Sequence, residues 1–250
     1  VGECCPLGPT YLHAYAHGVR AGISQLAPGL IGYDPTQLDL INAVMDTQLK
    51  GHPYVKSAID MACWDLLGKA AGLPLYILLG GKLQEKVTLY KVVTRADPAS
   101  MAERIPEYRN QGFRQFQVKV GEDQATDIIR IHRVAQEMEA GEVLNADANT
   151  GWKQHEALQV ADAIADLGKQ TGIHLTFEQP CLSYHECLAV RQHTDLPFVL
   201  DECIDSNGAL LQGHPHHAMD MINLKIRRFV CLTRTGQARE PVSPHGLARD

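Results

Sequence analysis

No stretch of this sequence stays apolar for the ~20 residues that a bilayer-crossing helix needs, so no membrane span is expected. Nowhere do lysines and arginines gather into a basic cluster, and the net charge is −6, which argues against nucleic acid as a partner. The seven cysteines (4, 5, 63, 181, 187, 203 and 231) lack the paired spacing of a zinc site. Most are scattered through apolar segments, and free thiols in a reducing, cytoplasmic compartment are the expectation. No methionine stands at the start. The sequence opens on Val1-Gly2-Glu3, which reads as the end of a strand, so the true N-terminus and any targeting segment are left open. Histidine is plentiful, yet His214-Pro215-His216-His217 has no second cluster beside it and reads as solvated loop.

What is present is the composition of an ordinary globular enzyme, 45% hydrophobic and 21% charged over 250 residues, enough for one large domain or one and a half. Residues 1–86 are mainly helical. Tyr11 to Leu26 and Pro35 to Leu49 carry helical patterns separated by Pro28-Gly29 and Gly32. The clearest helix runs from Val55 to Ala71, with apolar residues at the i, i+3, i+4, i+7 positions and Gly72 and Pro74 as its stop. Asp60 and Asp65 within it are expected to make helix-surface or inter-domain hydrogen bonds.

From Val87 the texture becomes an alternation of strand and helix. Strands are expected near 87–93, 115–120, 142–147, 173–178, 197–201 and 218–225, and helices near 98–110, 123–139, 153–168, 184–193 and 206–212. Buried strands without polar alternation imply a parallel sheet covered by helices, either doubly wound or a (β/α) barrel. Two further strand–helix units would be needed to close eight strands, and they are missing. The expected organisation is therefore α/β: a partial, mainly helical N-terminal domain over 1–86 and an incomplete barrel of about six strands over 87–229. Residues 230–250, with Pro241, Pro244 and Gly246 among charges, form an atypical tail expected to be poorly ordered.

The strand ends carry the chemistry. Leu144-Asn145-Ala146-Asp147 runs apolar into a carboxylate, then into small polar residues and Gly151 before a helical pattern begins. The next two strands end the same way, in Leu175-Thr176-Phe177-Glu178 and Phe198-Val199-Leu200-Asp201-Glu202. On either side, Phe116-Gln117-Val118-Lys119 and Ile222-Asn223-Leu224-Lys225 end strands in lysine. Polar ends on five successive strands favour the barrel, which gathers them into one ring. Asp147, Glu178 and Asp201 would repel one another without a cation, and oxygen donors of this kind suit Mg²⁺. Lys119 and Lys225, from strands 2 and 6, would face each other across that metal. A carboxylate substrate held there would present one face of its α-carbon to each amine, which suits removal of an α-proton with the metal stabilising the enediolate. A lysine acting as base near neutral pH needs its pKa lowered from ~10.4.

The order Lys, Asp, Glu, Asp-Glu, Lys resembles the enolase superfamily, in its muconate-lactonizing and mandelate-racemase-like branch. Ser57-Ala58-Ile59-Asp60-Met61-Ala62-Cys63-Trp64-Asp65-Leu66-Leu67-Gly68-Lys69, followed by Leu79-Gly80-Gly81, resembles that branch's capping-domain helix. The resemblance covers residues 1 to about 228. It implies Asp147, Glu178 and Asp201 as Mg²⁺ ligands, Glu202 behind them, and Lys119 and Lys225 as the acid/base pair. Where many relatives have Lys-x-Lys, this sequence has Gln117. Gln-x-Lys together with Gly8-Pro9-Thr10-Tyr11 is similar to the group acting on proline derivatives, which implies that Tyr11 and Gln117 contact substrate. The plainer alternatives are a packing residue of the capping loop for Tyr11 and an inward core amide for Gln117. Trp152 is expected to wall the pocket mouth or pack between loops rather than touch substrate.

The tail departs from the resemblance: Val230-Cys231 stands where the family has Gly-Gly, followed normally by a regular helix and two more strands. The reaction implied is α-proton abstraction from a cyclic amino acid, foremost dehydration of cis-3-hydroxy-L-proline, with epimerisation of a proline betaine second. A catalytically inactive fragment of such an enzyme is the alternative of a different class, and a sugar-acid dehydratase is a weaker one. A homo-oligomer is expected.

Overall fold

The structure, a computed structural model, describes residues 1–82, 84–229, 231–235 and 248–249. The chain divides into two compact units. The first comprises Val1–Glu85 with Leu224–His245, and the second Lys86–Asn223 with Gly246–Asp250. No described helix is long and apolar enough to cross a membrane.

The first unit is built on α1 (Ala16–Leu30), α2 (Leu38–Gln48), α3 (Pro53–Ala71) and the short α4 (Leu75–Leu78). Proline at the first position of α3 and Gly72 at φ +66° bound that helix, a start without an amide hydrogen and a stop that a Cβ would disfavour. Leu26, Met45, Tyr54 and Val55 form its small core. The boundaries of α1 differ from expectation: it begins at Ala16 rather than Tyr11 and continues through Pro28, which forgoes the bond that an amide there would donate to the Ser24 carbonyl. Leu26 anchors that stretch by full burial. Asp60 is not on a helix surface either: it is buried, and accepts from Asn42 Nδ2 at 2.8 Å and Thr233 Oγ1 at 2.6 Å.

The second unit alternates strand and helix: β1 (Lys91–Val93), α5 (Pro98–Asn110), β2 (Gln115–Lys119), α6 (Gln124–Gln136), β3 (Val143–Asp147), α7 (Gln154–Ile164), α8 (Leu167–Thr171), β4 (His174–Glu178), α9 (Tyr184–Arg191), β5 (Phe198–Leu200), α10 (Asn207–Gly213) and β6 (Met221–Ile222). A two-residue β7 (Ala248–Arg249) pairs with β6. All pairings are parallel and the strands lie in sequence order, β1 to β7. A doubly wound sheet reverses its order part-way, so the sequential order selects the barrel type. The expected single helix over 153–168 is two, broken at Ala165-Asp166. Of the tail, residues 232–235 make a helical turn. The expected poor order of 230 and 236–247 lies outside the described residues.

Phe116, Phe177 and Phe198, one from each of β2, β4 and β5, are fully buried. Each contributes roughly 1.5–3 kcal/mol by leaving water. The Trp152 ring stacks on Phe177, centroids 5.7 Å apart, which settles its place: it packs between loops under the strand ends.

Candidate active site

Parallel register aligns the strand ends. Lys119 is the partner of Asp147, and Asp147 of Glu178, so three charged side chains stand in a row on β2, β3 and β4. Glu178 pairs with Val199, which puts Asp201 one pleat repeat further along the line of β5. Strands run about 4.8 Å apart, so neighbours in this row are in direct electrostatic contact. Asp147, Glu178 and Asp201 are all buried.

Each carboxylate has partners. Lys119 Nζ donates to Asp147 Oδ2 at 2.5 Å, and the Asn149 amide to Oδ1 at 2.9 Å. Glu178 is ringed by three amides: Gln117 Nε2 at 2.9 Å and Asn145 Nδ2 on Oε2, and Asn223 Nδ2 on Oε1 at 3.1 Å. Asn145 is itself fixed by the Thr176 hydroxyl. The Gln117 carboxamide nitrogen thus has its partner in Glu178. Glu202 lies behind the row, where Oε1 accepts from Asn149 Nδ2 at 3.0 Å.

The electrostatics are those of crowded acids. Burial first, and then the Glu178 charge, push the Asp147 carboxyl up to about 6, against the pull of Lys119. Burial also raises Glu178, the three amides opposing and the Asp201 charge assisting. The Tyr90 phenol, just ahead of β1, is raised by burial and next by Glu178, with Lys119 opposing. It shares the field of this row, and nothing in the sequence pointed to it.

Two supports behind the row were also missed. Gln179, buried in a left-handed conformation at φ +34°, accepts the Asp201 N–H on Oε1 at 2.8 Å and donates from Nε2 to the Cys181 carbonyl. Asp127 ties the loops after β2 and β3 together. Its Oδ2 accepts from the Gly121 and Glu122 amides and from Trp152 Nε1 at 3.0 Å, while Oδ1 accepts from Arg130 at 2.7 Å. These loops touch so closely that a Cβ on Gly151 would lie 2.1 Å from the Gly121 carbonyl oxygen. Asn145 was open to reading, because it precedes Asp147 by two and a strand repeats its facing every second residue.

The remaining expected residues belong to the first unit. Lys225, half-buried, opens the turn after β6, its carbonyl accepting from Arg228 N at 2.8 Å. Tyr11 lies half-buried in a turn closed by its own N–H on the Gly8 carbonyl. His214, His216 and His217 are exposed.

Does this donor set fit a cation? Among the described residues no three His, Cys, Asp or Glu side chains are arranged around a single point. In chemistry the set does fit. The oxygens are hard donors from adjacent strands, and burial with mutual repulsion raises two of them, a penalty that a dication would relieve. Lys119 supplies part of that relief now.

Comparison with known proteins places this arrangement. Residues 100–248 match the family profile described as enolase C-terminal domain-like, and residues 1–80 that of the mandelate racemase/muconate lactonizing enzyme N-terminal domain. A cis-3-hydroxy-L-proline dehydratase from Roseibium aggregatum is 49% identical over 245 residues, 98% of this chain and 65% of that protein. An N-succinyl-L-Arg/Lys racemase from Bacillus cereus is 33% identical over 208 residues, 81% of this chain and 54% of its own. A crystal structure of an enolase-superfamily member from Roseovarius nubinhibens complexed with magnesium superposes with TM-score 0.90 at 38% identity, covering 99% of this chain and 66% of that one. The chain therefore spans just under two thirds of the length of the dehydratase it matches.

Proposed function

The chain belongs to the enolase superfamily, in its mandelate racemase/muconate lactonizing branch, and on that premise we propose that it dehydrates cis-3-hydroxy-L-proline in a Mg²⁺-dependent reaction. The observation that carries the reading is the register row Lys119–Asp147–Glu178 with Asp201 beside it, a half-buried amine and three buried acids together at the carboxyl ends of parallel strands. The 49% identity to a dehydratase of that substrate supports the choice of reaction.

Asp147, Glu178 and Asp201 would hold the metal, and Glu202 would steady them through Asn149. Bound Mg²⁺ would supply positive charge to the substrate carboxylate as its α-proton leaves. The chain's own groups do the rest. Lys119 and Lys225 are the acid/base pair, one taking the α-proton and the other delivering a proton to the departing hydroxyl. Gln117, held on Glu178, offers its carboxamide oxygen to the substrate's ring nitrogen, and Tyr11 is the second residue proposed to contact substrate. The three acids of the row are buried, which strengthens every charge interaction among them.

The carbon from which the hydroxyl leaves is adjacent to the α-carbon. Loss of both gives a ring alkene and one water, and the enamine so formed tautomerises to a cyclic imine. The test is proton NMR of the purified chain with cis-3-hydroxy-L-proline, with and without Mg²⁺. Metal-dependent loss of the α-proton and H3 signals is the result expected. Turnover of a proline betaine instead would select epimerisation by the same groups. Magnesium binding with no change in either substrate would overturn the turnover proposed here.

A further inference from the structure

Three of the seven cysteines meet behind Asp201. Cys181 follows β4, Cys187 lies on α9 and Cys203 follows β5, and all three are free thiols. Cys187 Sγ donates to the Cys181 carbonyl at 3.4 Å. The Gln179 carboxamide spans the pair: Nε2 donates to Cys187 Sγ at 3.5 Å, and Oε1 accepts from Cys203 Sγ at 3.5 Å. That same oxygen accepts the Asp201 N–H. Cys181 and Cys187 are buried, whereas Cys203 is partly exposed. One thiol can meet a small oxidant, and its partner sits on the other end of the same carboxamide.

We propose that Cys187 and Cys203 form a reversible disulfide, a modification site for peroxide that acts on Asp201 through Gln179. The Cys203 sulfur attacks one oxygen of hydrogen peroxide, breaking the O–O bond; it becomes a sulfenic acid and the other oxygen leaves as water. The Cys187 sulfur then attacks the sulfenic sulfur. The S–O bond breaks, and the hydroxyl leaves as a second water with the Cys187 proton. Two thiols lose two electrons in all, and one peroxide is reduced to two waters. A dithiol reverses the change. A disulfide holds its sulfurs ~2.05 Å apart, closer than either now stands to the Gln179 carboxamide, at 3.5 Å. Closing it therefore draws both sulfurs off Gln179 and removes two of the five hydrogen bonds on that carboxamide. The backbone of Asp201, two residues before Cys203, must follow.

Only the effect on metal binding rests on the function proposed above; the disulfide and the loosening of the Asp201 amide do not. The experiment treats the purified chain with hydrogen peroxide and maps unreduced peptides by mass spectrometry. A Cys187–Cys203 cross-link is expected in the wild type and in Cys181→Ser, lost on adding dithiothreitol and absent in Cys203→Ser. Should Cys203→Ser fail to fold, the wild-type and Cys181→Ser maps decide alone. A Cys181–Cys187 cross-link, a Cys203 sulfinate without any cross-link, or no oxidation at either thiol overturns the site. Amide exchange read by NMR tests the coupling, with the Asp201 N–H expected to exchange about tenfold faster in the oxidised form. Unchanged exchange at Asp201 in cross-linked protein overturns the link through Gln179.

Discussion

The Lys119 ammonium lies 2.5 Å from Oδ2 of Asp147, its register partner on the neighbouring strand. The contact joins a proposed base to a proposed ligand, so Asp147 cannot give the same oxygen fully to both Lys119 and a metal. Magnesium binding should displace Lys119 from this oxygen and leave the amine free to meet substrate. Asp147→Asn, Glu178→Gln and Asp201→Asn should each weaken Mg²⁺ at least ~10–100-fold, the range that outer-shell changes alone can reach. Calorimetric titration measures it. Unchanged affinity in all three variants would remove the ligand assignment.

The same row makes the metal-free protein sensitive to pH. Asp147 is raised from its ordinary 3.8 to about 6 by burial and by Glu178. An acid with a higher pKa in the fold than in the unfolded chain holds its proton more tightly when folded. Its ionisation costs stability. That cost is absent below 3.8 and complete above about 6. Metal-free protein should therefore lose stability as pH rises through this window, and Glu178, shifted the same way, adds to the loss. Asp147→Asn should gain ~1–3 kcal/mol on the wild type at about pH 7 but little at about pH 4, less than the full shift because Lys119 loses its partner. Urea midpoints at the two pH values, without and with Mg²⁺, test this. A wild-type stability that rises over the window would contradict it.

The row itself was legible in the sequence, because a buried parallel strand that ends in a charge leaves few readings and five in succession leave fewer. Lys119, Asp147 and Glu178 needed only the strand ends to be placed, and register did the rest. The supports were not legible. Gln179 acts on Asp201 through a backbone amide 22 residues away, and Asp127 acts on Trp152 across 25, so neither leaves a local pattern. Pro28 misled for the opposite reason: a local rule was overridden by the burial of Leu26 in the same stretch of helix.

Asp127 carries a prediction of its own. It is fully buried and receives two backbone amides, an indole N–H and the Arg130 guanidinium. Asp127→Ala strands the two backbone amides and the indole N–H and leaves Arg130 with only the Ala96 carbonyl and the more distant Glu122, and should cost about 3–5 kcal/mol. Urea unfolding followed by tryptophan emission reads it, with a red-shifted native spectrum as Trp152 loses its partner. A cost below about 1 kcal/mol would mean that water replaces the carboxylate and that the clamp is not structural.

The last prediction concerns the two lysines and takes the protein with its barrel complete. In cis-3-hydroxy-L-proline the carboxylate and hydroxyl share one ring face, so the α-proton and the hydroxyl lie on opposite faces and elimination is anti. One lysine removes the proton, and the other protonates the leaving hydroxyl from the opposite side. The same pair could epimerise an α-carbon, so what chooses between the reactions is the presence of a leaving group on the adjacent carbon. Lys119→Ala and Lys225→Ala should each abolish dehydration. Only the variant that retains the base should still exchange the α-proton with deuterated solvent, because proton removal survives the loss of the acid. NMR of substrate incubated with each variant in D₂O distinguishes them. Exchange at the wild-type rate in both variants would show that neither lysine is the base. Exchange in neither would show that proton removal needs both amines, and the assignment of one acid and one base would fail.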